Sequence, residues 1–150
     1  MVWAGIYTKA HTDLIFVENC TLNAHRYVED VPQEVVIPFY HFIGDGFISM
    51  QDNARPHVAR VVTEYLVEVA IETFGWPACR PDVNPIEHLW DELLRRIRHR
   101  PAMPETPQEL RMALQEEFEA IPRISIRNLI NSMPRRLNAI MQARGGHTRY

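Results

Sequence analysis

Cysteine and long apolar runs are scarce in this 150-residue chain, and each shortage excludes a class of protein. The two cysteines, Cys20 and Cys79, share no metal-ligand spacing, which argues against a disulfide framework or a structural zinc site. No apolar run is long enough to cross a bilayer, and the first residues lack the pattern of a secretory signal. We therefore expect a single intracellular domain with a sizeable core and no membrane partner.

The basic residues are almost all arginine, and they are unevenly distributed. Of 16 basic residues 15 are arginine, the side chain best shaped for bidentate contact with phosphate. Residues 1–75 carry 4 basic and 10 acidic groups, whereas residues 76–150 carry 12 and 9. A basic half on an acidic body is typical of a protein with a polyanionic partner, and equally of a solvated helix face.

The first third of the chain has the pattern of a hairpin followed by a helix. Short apolar runs at 2–6 and 14–17, joined by a polar turn, predict two paired strands. Asn23 is a typical N-cap for the helical pattern that follows it. We expect a kink or a break in that helix at Pro32 and at Pro38, because each proline removes a backbone donor.

The middle of the chain alternates between strand and helix. A glycine-rich turn at 44–46 leads into a predicted strand over 47–52, a helix over 58–66 and a second strand over 69–74. This alternation predicts a right-handed crossover between parallel neighbouring strands.

The last third is helical. Asn84 with Pro85 at the first position predicts one helix start, and a capping box from Thr106 to Glu109 predicts another, with that helix ending near Ala120. A last helix is expected from Ser125, interrupted by Pro134. The apolar positions expected to face inward are Ile86, Leu89, Trp90, Leu93, Leu94 and Ile97 in the first of these helices, and Leu129, Ile130, Met133, Leu137, Ile140 and Met141 in the last.

Two acids stand at the ends of predicted elements, with 34 residues between them. Asp52 closes the strand over 47–52, and Glu87 lies in the first turn of the helix that Asn84 caps. Two such carboxylates are plausible ligands for a hard divalent cation. Both also have ordinary explanations, since Asn84-x-x-Glu87 is a capping-box pattern and Asp52-Asn53 is typical of a turn.

The sequence motifs around the two acids resemble those of one protein family. The first run is Phe47-x-x-x-Gln51-Asp52-Asn53-Ala54-Arg55-Pro56-His57, and the second is Trp76-Pro77-Ala78-x-x-Pro81-Asp82-x-Asn84-Pro85-Ile86-Glu87-His88-Leu89-Trp90. Both closely resemble transposases of the Tc/mariner superfamily, in particular its Tc branch, whose spacing between the acids is the same. Met1–Gly5, Thr21–Tyr27 and Arg144–Tyr150 extend the resemblance over essentially the whole chain.

The resemblance implies an RNase H-like α/β fold and a nuclear protein that cuts and rejoins DNA with magnesium or manganese. It matches Asp52 and Glu87 to the second and third acids of a catalytic triad and makes them the metal ligands. The family's first acid, on the first central strand, has no match here. We therefore expect weakened cation binding, and either a gapped sheet or direct pairing of residues 2–6 with 47–52.

The resemblance also implies DNA partners, namely transposon ends and target DNA, and a homo-oligomer or a full-length transposase as a protein partner. The candidate DNA contacts are Arg55, Arg80, Arg95, Arg96 and Arg98. The candidate outer-shell residues, which would order the site without ligating the metal, are Asn53, His57, Asn84 and His88. The histidines could instead make only local hydrogen bonds at helix starts, and Trp90 could stack on a base or lie in the core.

Residues 1–100 are accordingly interpreted as a truncated RNase H-like catalytic domain, lacking its first central strand, and residues 101–150 as a basic helical extension of the same domain. The function that the resemblance implies is metal-dependent DNA cleavage and strand transfer, which the chain is not expected to perform without its missing strand. The alternative is a catalytically inert protein that binds DNA or a transposase subunit. A third possibility is a non-functional remnant that does not fold stably.

Overall fold

The computed structural model describes residues 1–17, 23–75 and 84–142, which form two compact units. One unit contains Met1–Trp3 and the described residues of 15–79, and the other contains Ala4–Leu14 and the described residues of 80–150. The division that was predicted at residue 100 stays a prediction. Cys20, Cys79 and Arg80 lie outside the described residues.

The first unit contains an antiparallel pair of strands. Strand β1, Val2–Trp3, pairs with β2, Ile15–Phe16, so that Val2 lies opposite Phe16. The predicted hairpin is therefore confirmed, although both strands are shorter than the apolar runs that predicted them.

A parallel pair follows in the same unit. Strand β3, Ile48–Ser49, pairs with β4, Glu72–Thr73, as the alternation of strand and helix predicts. Gly44 and Gly46 form the turn before β3 and both have φ of 84°, which a side chain would disfavour. In the part of the chain that the structure describes, β1–β2 and β3–β4 are separate sheets. Of the two arrangements expected, the direct pairing of residues 2–6 with 47–52 is therefore wrong.

The helices of the first unit are continuous through the predicted proline breaks. Asn23 caps the first of them, accepting a hydrogen bond of 2.9 Å from the Arg26 backbone N–H. Pro32 does not end the helix but lies inside a π-helical segment, whose wider turn accommodates a missing donor. The break expected at Pro38 does not occur, because Pro38 lies where a new α-helical run begins. The segments are α1 Ala24–Val28, the π-helical segment Glu29–Val36, α2 Ile37–Ile43 and α3 Arg60–Glu68.

These helices enclose a small core that also supports β4. Tyr27 and Val31 from the first helical run pack with Val62 and Leu66 from α3, and Ile71 leads into β4. Tyr27 is 1% exposed, which makes it one of the largest side chains fully removed from solvent.

Within its described residues, the second unit contains four helices, two of which begin at a side-chain cap. Asn84 accepts from the backbone N–H of Ile86 at 3.4 Å, and Thr106 accepts from that of Glu109 at 3.2 Å. The last two helices are separated at Ser132, just before Pro134, so the predicted interruption is confirmed. The helices are α4 Pro85–Arg98, α5 Pro107–Glu119, α6 Arg123–Asn131 and α7 Met133–Gln142.

The inward faces of α4 and α7 are narrower than predicted. Pro85, Leu89, Leu93 and Ile97 recur every four residues and are buried, whereas Leu94 is 47% exposed. Leu94 lies one residue past the buried row, where the helix turns it towards solvent.

In α7 the buried position is Arg136, and Met141 is 74% exposed. The two are five positions apart, which places them on different faces of the helix. The expectation that Leu94 and Met141 face inward is therefore wrong.

A hydrogen bond at the start of α5 predicts that the stability of the folded chain depends measurably on pH. The carboxylate of Glu109 accepts a hydrogen bond of 2.9 Å from the Glu105 backbone N–H, and this bond is the main cause that lowers the pKa of Glu109. A lowered pKa stabilises the folded chain at neutral pH, and this stabilisation is lost as pH falls through the folded-state pKa. Urea unfolding should therefore show Glu109→Gln less stable than the wild type at neutral pH and equal to it in acid.

Glu105→Gln is the matched control, because the Glu105 side chain makes no hydrogen bond or ion pair within the described ranges. It should change stability little at either pH. An equal loss from Glu109→Gln at both pH values would mean that the ionised form makes no special contribution.

Candidate metal and nucleic-acid site

Asp52 lies in the loop between β3 and α3, in the first unit. Its Oδ1 atom accepts a hydrogen bond of 3.0 Å from the backbone N–H of Ala54, the arrangement of an Asx turn. The same oxygen lies 2.5 Å from Nδ1 of His57. An ionised carboxylate can only accept, so the proton between them is carried by Nδ1. The turn interpretation is thus correct locally and leaves the second carboxylate oxygen, Oδ2, for another ligand.

His57 is held against the core by an aromatic neighbour and a side-chain amide. Its ring lies 4.4 Å from the ring of Tyr27 at an interplanar angle of 31°, and its side chain is 15% exposed. The hydroxyl of Tyr27 donates to Oε1 of Gln51 at 2.9 Å, and Nε2 of Gln51 donates to the backbone oxygen of His57 at 3.4 Å.

The phenol of Tyr27 is kept neutral by this environment. Burial raises the pKa of Tyr27 above its ordinary value, and the negative charge of Asp52 raises it further. A side-chain hydrogen bond with Trp3 acts in the opposite direction. Tyr27 therefore acts as a hydrogen-bond donor in the ordinary pH range.

Glu87 lies in the first turn of α4, in the second unit. Its backbone N–H donates to the backbone oxygen of Asn84 at 3.2 Å, and its side chain is half-buried. Asn84, 9% exposed, caps the helix, so its predicted role near the site coincides with an ordinary structural one. An acid in a first turn is also stabilised by the helix dipole, and both explanations for Glu87 stay open.

His88 contacts a buried cation. Its Nε2 atom is in hydrogen-bond contact with the guanidinium of Arg136, which is 6% exposed. The Nε atom of Arg136 donates to the hydroxyl of Ser132 at 2.7 Å. Arg136 of α7 thus holds the imidazole of His88, the residue that follows Glu87 in the chain.

The candidate DNA contacts differ in what surrounds them. Arg96 bonds to Glu92 at 2.9 Å and lies 4.0 Å from Glu117, so its charge is already compensated. Arg55, Arg95 and Arg98 are exposed, and among the residues in ranges 1–17, 23–75 and 84–142 no ion pair involves them.

Trp90 contributes to the helical packing of the second unit. Its ring is stacked 6.2 Å from Phe118 of α5, and its side chain is half-buried. This contact favours the core interpretation of Trp90. Trp76, the other tryptophan near the acids, lies outside the described residues.

The two acids belong to different units. The Asp52 side chain is 46% exposed and offers an oxygen ligand of the type that magnesium and manganese prefer. Within the described part of the chain no group of three or more His, Cys, Asp or Glu side chains is arranged to hold a metal ion. Among the same residues, no helix has the length and apolar character needed to span a membrane.

Three residues near these acids escaped prediction from the sequence. Tyr27 and Gln51 are 24 positions apart, and Tyr27 had the pattern of an ordinary apolar helix position. Arg136 lies in none of the sequence motifs. No spacing rule signals such contacts, because each joins segments that are distant along the chain.

Comparison with known proteins supplies relatives over the full chain. No family model matches it. It is 40% identical over 154 aligned residues to the Tc1 transposable-element transposase of Caenorhabditis elegans, an alignment that covers 100% of this chain and 54% of the relative. The chain thus spans about half the length of the curated relatives it matches.

Solved structures establish the fold. The chain superimposes on the Mos1 transposase catalytic domain, solved with Raltegravir and Mg, with a TM-score of 0.81, at 21% identity and over 98% of this chain and 75% of that one. A Mos1 mariner paired-end complex with Mn matches with a TM-score of 0.76, at 21% identity and over 93% and 41% of the two chains. These matches confirm the predicted RNase H-like fold.

Proposed function

Because this chain belongs to the Tc branch of the Tc/mariner transposases, as part of their catalytic domain, we propose that it takes part in cation-dependent DNA cleavage and strand transfer. The observation that carries the proposal is the environment of the Asp52 carboxylate. This side chain lies in the family's sequence motif and is partly exposed, and one of its oxygens accepts hydrogen bonds from two donors. A carboxylate held in this way is prepared to present its other oxygen to a cation.

Asp52 and Glu87 are the proposed ligands, with magnesium or manganese as the cation. When bound, such a cation stabilises the charge that develops on a reacting phosphate oxygen. The chain's own contribution is to orient the ligands. His57 and the Ala54 backbone hold Asp52, while Asn84 fixes the helix start that carries Glu87.

Cation binding by these residues alone is proposed to be weak. Two carboxylates provide less negative charge and fewer oxygen ligands than the three acids of the family's triad. We therefore expect low-affinity binding of one cation, without the tight pairing of two cations that phosphoryl transfer commonly uses.

The proposed macromolecular partner is DNA, as transposon ends and target. Arg55 lies in the same loop as Asp52, and the exposed Arg95 and Arg98 lie on the helix that carries Glu87. Arg80 stays a candidate on its sequence position alone. Arg96 is the weakest candidate, since contact with phosphate would have to compete with Glu92 and Glu117.

Other partners and the location follow from the same proposal. Assembly with a second copy or with a longer transposase would bring two DNA ends together, and work on chromosomal DNA requires the nucleus.

A nuclease assay with a labelled linear DNA duplex and Mn²⁺ tests the proposed function. We expect at most slow Mn²⁺-dependent cleavage, because two carboxylates support phosphoryl transfer less well than three, and Asp52→Asn should abolish it. The matched control is Asp45→Asn, which makes the same change at an exposed carboxylate in the turn at residues 44–46 and should leave cleavage intact. Cleavage that persists in Asp52→Asn would overturn the assignment.

A second candidate function, an inert DNA-binding protein, is favoured by Arg95 and Arg98. Their exposed guanidinium groups need no metal site to contact a phosphate backbone. Salt-dependent DNA binding without cleavage in the same assay would decide for this alternative.

A further inference from the structure

The side chains that hold His57 form a connected path from the core to the proposed ligand. Tyr27 lies in the core of the first unit and is 1% exposed. Its hydroxyl bonds to Gln51 at 2.9 Å, and Gln51 in turn bonds to the His57 backbone at 3.4 Å. The ring of Tyr27 lies 4.4 Å from the His57 imidazole, so Tyr27 reaches His57 by two routes.

His57 then determines which oxygen of Asp52 is available. The imidazole bonds Oδ1 at 2.5 Å, and the Ala54 N–H donates to the same atom at 3.0 Å. Asp52 has no further hydrogen bond or ion pair with any described residue. Rotation of the carboxylate would break both bonds, so the side chain is held with Oδ1 engaged and Oδ2 available.

We propose that Tyr27 and Gln51 are positioning residues that hold His57, and through it the Asp52 carboxylate, in the orientation that presents Oδ2 to a divalent cation. This inference rests on the proposed function, because it assigns a purpose to the orientation only if Asp52 ligates a cation. Neither residue is proposed as a ligand of the cation. Partners of metal ligands commonly act in this way, by fixing the geometry of the ligand.

Burial and exposure are arranged as this role requires. Exposure rises along the path, from 1% for the Tyr27 residue to 15% for the His57 side chain and 46% for the Asp52 side chain. The rigid end of the path is therefore in the core, and the accessible end is the carboxylate. If His57 were held only by its hydrogen bond to Asp52, the imidazole and the carboxylate could rotate together.

The test compares variants that cut the path with one that damages the same core elsewhere. Tyr27→Leu removes the ring contact and the hydroxyl, Tyr27→Phe removes only the hydroxyl, and Gln51→Leu removes the link to the His57 backbone. Tyr40→Leu is the matched control, because Tyr40 packs against the same core cluster and its ring contacts are with His41 and Phe47.

Two measurements on the 150-residue chain separate positioning from folding. The ¹⁵N-edited NMR signal of the His57 Nδ1–H proton, assigned with His57→Gln, reports the bond to Asp52 without any metal. Electron paramagnetic resonance of Mn²⁺ reports cation binding. We expect Tyr27→Leu to lose the Nδ1–H signal and to weaken Mn²⁺ binding about tenfold, the lower range for residues that support a metal ligand. Tyr27→Phe and Gln51→Leu should have smaller effects in the same direction.

The control result, a failure of the positioning inference and a failure of the proposed function can be told apart. Tyr40→Leu should keep both the signal and the Mn²⁺ affinity, even if its thermal midpoint falls as far as that of Tyr27→Leu. Equal Mn²⁺ affinity in all variants would overturn the positioning inference and leave the proposed function intact. Absence of Mn²⁺ binding by the wild type would overturn the proposed function, and the purpose assigned to Tyr27 and Gln51 with it.

Discussion

Leu89→Ala should lower the free energy of unfolding by about 2–5 kcal/mol, the usual range for removing a buried leucine side chain. Leu89 is fully buried, on the row of α4 that also contains Leu93 and Ile97. The truncation loses the transfer free energy of the side chain and leaves a cavity that the neighbouring helices fill only in part. Because α4 carries Glu87 and the exposed arginines, this loss would also loosen the proposed site.

Leu94→Ala is the matched control for this prediction. It makes the same chemical change on the same helix, at a position that is 47% exposed, and should cost much less. Urea unfolding can be followed by Trp90 fluorescence in a background where Trp3 and Trp76 are phenylalanine, so that the signal comes from the second unit. Equal losses from Leu89→Ala and Leu94→Ala would contradict the observed packing of α4.

The double variant Arg95→Gln, Arg98→Gln should reduce the salt dependence of DNA binding. Each phosphate contact that is removed lowers the slope of log K against log salt by about 1, so the double variant should lower it by about 2. The physical reason is that fewer counterions leave the DNA when fewer cations neutralise its phosphates. Fluorescence anisotropy with a labelled duplex at a series of salt concentrations measures this slope directly.

Arg96→Gln makes the same change on the same helix, at an arginine that is already paired with Glu92. It should leave the slope unchanged, although the Glu92 carboxylate that loses its partner would repel phosphate and lower the affinity. The prediction is contradicted if Arg96→Gln reduces the slope and the double variant does not. That result would show that DNA displaces the ion pairs of Arg96.

Features encoded by neighbouring residues could be predicted from the sequence. Asn84 and Thr106 are recognisable as caps because a cap bonds to backbone groups only two or three residues away. The parallel pairing of β3 with β4 was also predictable, because a strand, helix and strand in succession favour one arrangement.

Features that depend on distant residues could not be predicted. The helical run passes through Pro32 because a π-helical turn and the packing around it tolerate the missing donor, and local sequence does not reveal that tolerance. Tyr27 has the pattern of a plain core residue, yet its hydroxyl and ring reach Gln51 and His57. The buried Arg136 contacts His88, which is 48 residues away.

The same distinction applies to the proposed site. The sequence motifs around Asp52 and Glu87 identified the family, and the 40% identity to a Tc1 transposase supports this membership. The sequence motifs do not show how the carboxylate of Asp52 is held. That orientation comes from His57 and the Ala54 backbone, and it is the physical argument that the carboxylate is prepared for a cation.

Titration of the chain with Mn²⁺, followed by electron paramagnetic resonance, tests most directly whether Asp52 and Glu87 are cation ligands. The wild type should bind Mn²⁺ weakly. Asp52→Asn and Glu87→Gln should each lower the affinity by at least about tenfold, since even changes in residues that only support ligands have effects of that size. Asp45→Asn should bind like the wild type. Mn²⁺ binding that is unchanged in both Asp52→Asn and Glu87→Gln would contradict the account.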